Sequence, residues 1–227
     1  MATKVSKRIK KVYSSVDVTK AYALKEAVNV LQQAPKLKFD ETVEIHFHLN
    51  LDIKASEQNV RGTIVLPHGT GKTLKVAVVC QGDNVSKARD AGADFVGGTD
   101  LIAKIEQGFL GFDCLIATPD MMKDLSKLGK ILGPRGLMPS PKAGTVTADV
   151  ERALREVKAG RVEFKNDKQA GIHIGIGKRS FSTDNLVANA KQVIDTVSQA
   201  KPASVKGVFV KSVYLSTTMG AGVKVAI

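Results

Sequence analysis

Between positions 43 and 51 apolar and polar residues alternate without a break. Val43, Ile45, Phe47, Leu49 and Leu51 fall on one side, and Glu44, His46, His48 and Asn50 on the other. Successive strand side chains point to opposite faces, so this alternation predicts a half-buried strand in a sheet with one dry face and one wet face. Glu44, His46 and His48 share the wet face. A metal site is one reading of that trio, but side chains at i and i+2 diverge, and the sequence offers no clear fourth ligand or orienting carboxylate. Solvated strand-face residues are the better reading, and no metal is expected.

The same alternation closes the chain. Val213 and Leu215 alternate with Tyr214 and Ser216, Thr217-Thr-Met-Gly-Ala-Gly222 makes a turn of small residues, and Val223-Lys-Val225 resumes the pattern. This is a hairpin tip. Its hydroxyls, a soft Met219 and two glycines let the backbone approach another polar surface closely, and Lys211 and Lys224 flank the approach with positive charge. Taken alone, an ordinary turn explains the stretch as well. At the entrance to the first strand, Lys36-Leu-Lys-Phe-Asp-Glu-Thr42 sets an aromatic among lysines. An exposed Phe39 could stack on a base or ribose; a buried one would be core.

The rest of the chain changes pattern twice. Residues 21–33 repeat apolar side chains at helical spacing and Pro35 stops the run; residues 61–66 read as a second strand, which Pro67-His-Gly-Thr-Gly-Lys-Thr73 ends. From residue 74, short apolar strands at 74–79, 94–96 and 112–117 are separated by helical stretches at 85–91 and 100–108, with another helix at 121–128. That order predicts a small parallel sheet covered by helices. Residues 129–144 are rich in Gly and Pro and read as an extended surface loop carrying Lys130, Arg135 and Lys142, either a phosphate contact or a structural loop. A helix at 149–158 follows, with Asp149 near its start. Strand alternation then returns at 161–164 and 171–177, and a helix at 185–199, with Asp184 as candidate N-cap, leads to the hairpin.

Charge follows the same division. The chain carries 34 Lys and Arg against 22 Asp and Glu, a net charge of +12, which favours a polyanionic partner. Residues 1–67 carry +4, 68–159 carry +2 and 160–227 carry +6. Two basic, strand-rich ends around a near-neutral α/β middle are most simply explained by a discontinuous α+β domain, residues 1–67 plus 160–227, with an inserted α/β domain at 68–159. The two chain crossings would then form a hinge. Lys4, Lys7, Arg8, Lys10 and Lys11 make a basic N-terminal arm, either a solvated end or a phosphate-tracking one. There is no apolar segment of signal-peptide or membrane-spanning length, and Cys80 and Cys114 are lone thiols in apolar runs. A soluble, cytoplasmic protein without membrane partners is expected.

An enzyme reading finds little support. Gly71-Lys-Thr73 invites a nucleotide-binding loop, but the motif requires Gly where Leu66 stands, and the apolar strand comes after the loop instead of before it. No GxGxxG follows a strand, and no nucleophile, base and orienter set is visible. A nucleotide-using enzyme on the central α/β unit is therefore the disfavoured alternative; no cofactor and no small-molecule substrate are expected.

Several segments together are more specific than any of these. Phe39-Asp-Glu-Thr-Val43, Gln58-Asn-Val-Arg-Gly62, Leu66-Pro-His-Gly69, Leu132-Gly-Pro-Arg-Gly-Leu-Met-Pro139, Lys142-Ala-Gly-Thr-Val146, Phe164-Lys-Asn-Asp-Lys168 and Ser216-Thr-Thr-Met-Gly220 occur in order over nearly the whole chain. In this the sequence resembles the bacterial large-subunit ribosomal protein L1 family. The resemblance implies a discontinuous domain of split β-α-β type with an inserted Rossmann-like domain. It implies binding to 23S rRNA at a mobile stalk beside the tRNA exit site, help in tRNA release, and repression of translation from the chain's own operon message. The partners implied are 23S rRNA, the chain's own mRNA leader and exit-site tRNA, with the protein monomeric off the ribosome. On matching positions, the RNA surface would comprise Phe39, Thr42, Ser212, Thr218, Met219 and Gly220, with Lys38 and Lys168 nearby and Arg135 and Lys142 as secondary contacts. Ser140 stands where many relatives carry Asn, so the polar contact of that loop is open.

Overall fold

The computed structural model describes residues 7–17, 19–52 and 56–226; Lys4 of the basic arm lies outside them. The first part of the chain forms α1 (Lys7–Ser15), α2 (Leu24–Gln33), β1 (Thr42–Leu49) and β2 (Arg61–Val65). The middle forms β3 (Val76–Val79), α3 (Asn84–Asp90), β4 (Phe95–Gly97), α4 (Thr99–Glu106), β5 (Cys114–Ala117), α5 (Met122–Ser126), α6 (Gly129–Leu132) and α7 (Val150–Lys158). The last part forms β6 (Arg161–Lys165), β7 (Gly171–Lys178), α8 (Thr183–Gln199), β8 (Val210–Thr217) and β9 (Val223–Val225). The described residues form a mixed α+β structure with three sheets, and none of their helices is long and apolar enough to cross a membrane.

By internal contacts the chain divides into two units, Met1–Gly71 with Val162–Ile227, and Lys72–Arg161. In the first unit, β1 lies between β7 and β8, β9 extends the sheet beyond β8, and all these pairings are antiparallel. The alternation of β1 sends Val43, Ile45, Phe47 and Leu49 into the core, where Ile172, Ile174 and Ile176 of β7 and Val213 and Leu215 of β8 join them. Ala27, Val28 and Leu31 of α2 and Leu186, Ala190, Val193 and Val197 of α8 cover that face. Burying a full Leu, Ile or Val side chain contributes about 1.5–3 kcal/mol, so this one-sided layer dominates the stability of the unit. Buried Asn189 ties the segment after β2 to α8: its amide donates to Gly69 O at 3.0 Å and Ile176 O at 2.7 Å, and its carbonyl accepts from His68 N–H at 3.1 Å.

In the second unit, β3 is flanked by β4 and β5, both parallel to it. All four residues of β3 are buried, as a strand covered on both faces requires. Ala77 and Val79 pack toward Leu101, Ile105 and Leu125, and Val76 and Val78 toward Ala88, Leu154 and Val157.

Three local expectations change. Residues 7–15 form a helix with Val12 buried, so this part of the basic segment is anchored at its apolar side. Ser182, not Asp184, caps α8 by accepting Asn185 N–H at 3.3 Å; extended backbone at Ser182 lets its short side chain reach back to the first turn. Residues 129–144 are not extended throughout. Gly129–Leu132 is a helical turn, Leu132 and Ala143 are buried, and Thr145 Oγ1 accepts Ser140 N–H at 2.8 Å to close the loop on itself.

Candidate nucleic-acid interface

The hairpin between β8 and β9 is held from beneath by a buried ion pair. Glu41 is in phase with Val43 and Ile45, so its side chain turns to the dry side of the sheet, where it is 2% exposed. There Oε2 accepts from Arg179 Nη1 at 2.7 Å, while Oε1 accepts from Thr217 Oγ1 and from Met219 N–H, each at 3.1 Å. The guanidinium also donates to the carbonyls at the end of α2: Gln32 at 2.8 Å, Pro35 at 3.3 Å, and Ala34. A fixed cation suits those carbonyls, which the helix cannot satisfy itself. Helix end, strand start and turn thus converge on one charge pair.

Two threonines then clasp the tip. Thr218 N–H donates to Thr42 O and Thr42 N–H donates to Thr218 Oγ1, both at 3.0 Å, and Lys178 Nζ donates to Thr42 Oγ1 at 3.1 Å. Thr218 Oγ1 reaches Thr42 O only at 3.3 Å, so its proton is loosely held and can turn to an outside acceptor. Gly220 N–H donates to Thr217 O at 2.9 Å, and a Cβ at Gly220 would lie 2.2 Å from Thr217 Oγ1. Only glycine fits this turn as it stands.

What the framework leaves outward is apolar. Met219 is 51% exposed and Phe39 53% exposed, each beside polar backbone and cations. Arg8 of α1 donates to Met219 O at 2.7 Å, a contact between residues far apart in sequence. Lys38 is exposed next to Phe39, which borders a groove of about 590 Å³ together with Lys36, Asp40 and Ser180.

The remaining predicted residues lie elsewhere. Ser212 faces His48 at the far end of β1, and Lys168 sits exposed in the turn before Gly171, which also pairs with His48. The register separates Thr42 from His48 by six residues, about 20 Å at a strand rise of roughly 3.4 Å per residue. The structure therefore brings Lys38, Phe39, Thr42, Thr218, Met219 and Gly220 to one end of the sheet, and Ser212 and Lys168 to the other. Arg135 and Lys142 are exposed on the loop of the second unit.

Between the two ends the wet face carries His46, His173 and Ser216. His46 Nδ1 lies 2.8 Å from His173 Nδ1, His46 Nε2 lies 2.8 Å from Ser216 Oγ, and His173 Nε2 lies 3.4 Å from Asp167 Oδ2. Half-burial, and next the positive charge available to His173, push the His46 imidazole below the usual histidine range. Backbone N–H groups of Gly171 and Gln169 hold the Asp167 carboxyl below its usual value. Among the described residues no group of three or more His, Cys, Asp or Glu is arranged to hold a metal ion.

Sequence reasoning missed Glu41, Arg179 and His173, and it placed Arg8 in a basic arm without its contact to Met219. Glu41 left a signal, an acid standing in the apolar phase of an otherwise strict alternation. The others depend on contacts between distant segments and left none.

The arrangement is a locked turn with exposed apolar side chains and lysines at one end of the sheet. The family model of the ribosomal protein L1p/L10e family matches residues 30–221. The chain is similar to the large ribosomal subunit protein uL1 of Thermosipho melanesiensis, 53% identical over 223 residues, covering 98% of this chain and 96% of that protein. It is similar to the protein of the same name from Kosmotoga olearia, 52% identical over 221 residues with 97% and 96% covered. The corresponding protein of Protochlamydia amoebophila is 49% identical over 220 residues with 97% and 93% covered. On a family match over most of its length, and on half-identity over nearly all of it, the chain belongs to the ribosomal protein L1p/L10e family.

Proposed function

We propose that the chain is a structural constituent of the large ribosomal subunit that binds 23S rRNA at the mobile stalk beside the tRNA exit site, helps release tRNA, and represses translation of its own operon message. On this reading the first unit is a split β-α-β RNA-binding domain and the second an inserted Rossmann-like domain. The relatives' name supports the subunit assignment. The observation that carries RNA binding is Met219, outward on a turn locked by Glu41, with Phe39 exposed on the segment that leads into β1. Ordered backbone and two exposed apolar side chains, ringed by Lys38, Lys178 and Arg8, suit a sugar–phosphate surface read by shape.

Affinity and specificity divide between different groups. Each lysine or arginine that neutralises a phosphate adds roughly 0.7–0.9 to the salt slope of binding and carries little sequence information. Thr218 and Ser212 hydroxyls can recognise 2′-hydroxyls, and Gly220 allows the backbone to approach within the reach of a Cβ. The protein is proposed to act in the cytoplasm, on the ribosome, and without catalysis. Nuclease footprinting on total rRNA tests the reading: one protected large-subunit site supports it, and uniform protection matching an unrelated basic protein sinks it. Saturable micromolar ATP or GTP binding with hydrolysis would instead favour an enzyme.

A further inference from the structure

The wet face between the two candidate contact regions contains a hydrogen-bonded chain whose direction is fixed at one end. Asp167 is ionised at neutral pH and can only accept, so His173 Nε2 carries a proton toward it. With His173 neutral, its Nδ1 holds a lone pair and must accept the proton of His46 Nδ1 at 2.8 Å. His46 Nε2 is then bare and accepts the hydroxyl of Ser216 at 2.8 Å. In the neutral state the face offers this centre no outward donor: the Ser216 proton is committed to the imidazole.

One added proton changes that without breaking the chain. It enters at His46 Nε2, which becomes a donor; Ser216 turns to accept and its own O–H is released outward. A second proton would put N–H groups face to face between the two Nδ1 atoms, which closes the series at one. We propose that the His46–His173 pair with Ser216 is a phosphate-contacting subsite in the middle of the RNA surface, and that RNA binding there is coupled to uptake of one proton. The proposal rests on the RNA-binding reading.

The surroundings carry both signs, and Glu44 stands directly opposite Ser216, so an anion must be drawn in by the protonated pair and the neighbouring lysines. Glu44 and His48 share β1 with His46, Asp167 and Lys168 stand in the turn before β7, Tyr214 lies opposite His46 on β8, and Lys224 lies opposite Tyr214 on β9. Gly171 and Gly175 lie on the same face of β7 as His173, and Asp167 and His173 pack closely over Gly171. The site also lies on the line joining the Thr218 and Ser212 ends, so a backbone spanning both crosses it. Half-burial holds the His46 imidazole below its ordinary range in the free protein, and a phosphate beside the pair favours the charged form.

The test is equilibrium binding of the full chain to large-subunit rRNA between pH 6 and 8, for the native protein, His46→Gln and His173→Gln, each checked for folding by thermal unfolding. The native affinity should rise by up to about tenfold per pH unit as pH falls, the limit for one linked proton, and both variants should flatten that rise. Calorimetry in buffers of different ionisation enthalpy should register proton uptake by the native protein alone. Equal pH dependence in native and variant proteins, or no proton uptake, overturns the proposal while leaving RNA binding intact. Failure of the native protein to exceed an unrelated basic protein at any pH overturns the RNA reading itself. If a variant does not fold, the ring nitrogens of the native protein decide: the neutral pair should show Nδ1–H on His46 and Nε2–H on His173, and the reverse tautomers refute the chain.

Discussion

Glu41 shows how one residue can commit a surface to a shape. Its carboxylate is almost fully buried, meets a buried guanidinium, and holds both Thr217 and the Met219 amide. Removing one partner of such a pair strands the other charge, at a cost of about 3–5 kcal/mol. Glu41→Gln should therefore lower unfolding stability by roughly 3 kcal/mol in denaturant titration; a loss near zero would show that Arg179 is satisfied by the α2 carbonyls alone. Thr218 has a double role, because its hydroxyl accepts Thr42 N–H as well as facing outward. Thr218→Val should weaken rRNA binding by at least about 1 kcal/mol and also unpair one backbone donor, so affinity and stability should fall together. Unchanged affinity would remove Thr218 from the interface.

At the scale of elements, β1 was legible because its period is strict: Val43, Ile45, Phe47 and Leu49 are buried as expected, while Leu51 lies beyond the strand and is only partly buried. Which strands neighbour β1 was not legible, since β7 and β8 come from more than a hundred residues away and alternation carries no address. The same gap hid the histidine centre. His46 could be placed on the wet face from its phase, but His173 and Asp167 reach it only through the β1–β7 register. Helix ends were less certain, because Ser182 and Asp184 are both good caps and only the backbone turn selects between them. The sheet has a pH signature of its own. His46 binds a proton less readily folded than unfolded, so the stability it contributes is full above the ordinary value of 6.5 and is lost as pH falls toward its lower folded value. Unfolding measured from pH 7.5 to 5 should show this loss, and His46→Gln should remove that component; a native curve equally steep in the variant would assign it to another group.

Over the whole molecule, the two units keep separate cores: no residue of the cluster around β1 belongs to the clusters around β3. Along the sequence, pattern and charge both change near residues 67 and 160. Joining residues 1–71 to 162–227 through a flexible linker should therefore give a chain that folds cooperatively and binds rRNA within about tenfold of the intact protein, a loss of no more than roughly 1.4 kcal/mol. A spliced chain that folds but binds only as an unrelated basic protein does would place the recognition surface in the second unit. The candidate site was legible as residue types near a turn and, through the family resemblance, as positions; its separation into two ends of one sheet was not, because that depends on register.

The central claim is that exposed apolar groups on a locked turn recognise RNA by shape. Phe39 and Met219 test it most directly, because both are about half exposed and their removal leaves the Glu41 framework in place. The measurement is the affinity of Phe39→Ala combined with Met219→Ala for large-subunit rRNA, against native protein at one salt concentration. The account predicts a loss of about 2–3 kcal/mol, by analogy with about 1–3 kcal/mol per stacked base, with the salt slope and the unfolding midpoint unchanged. Native affinity in the double variant would contradict it.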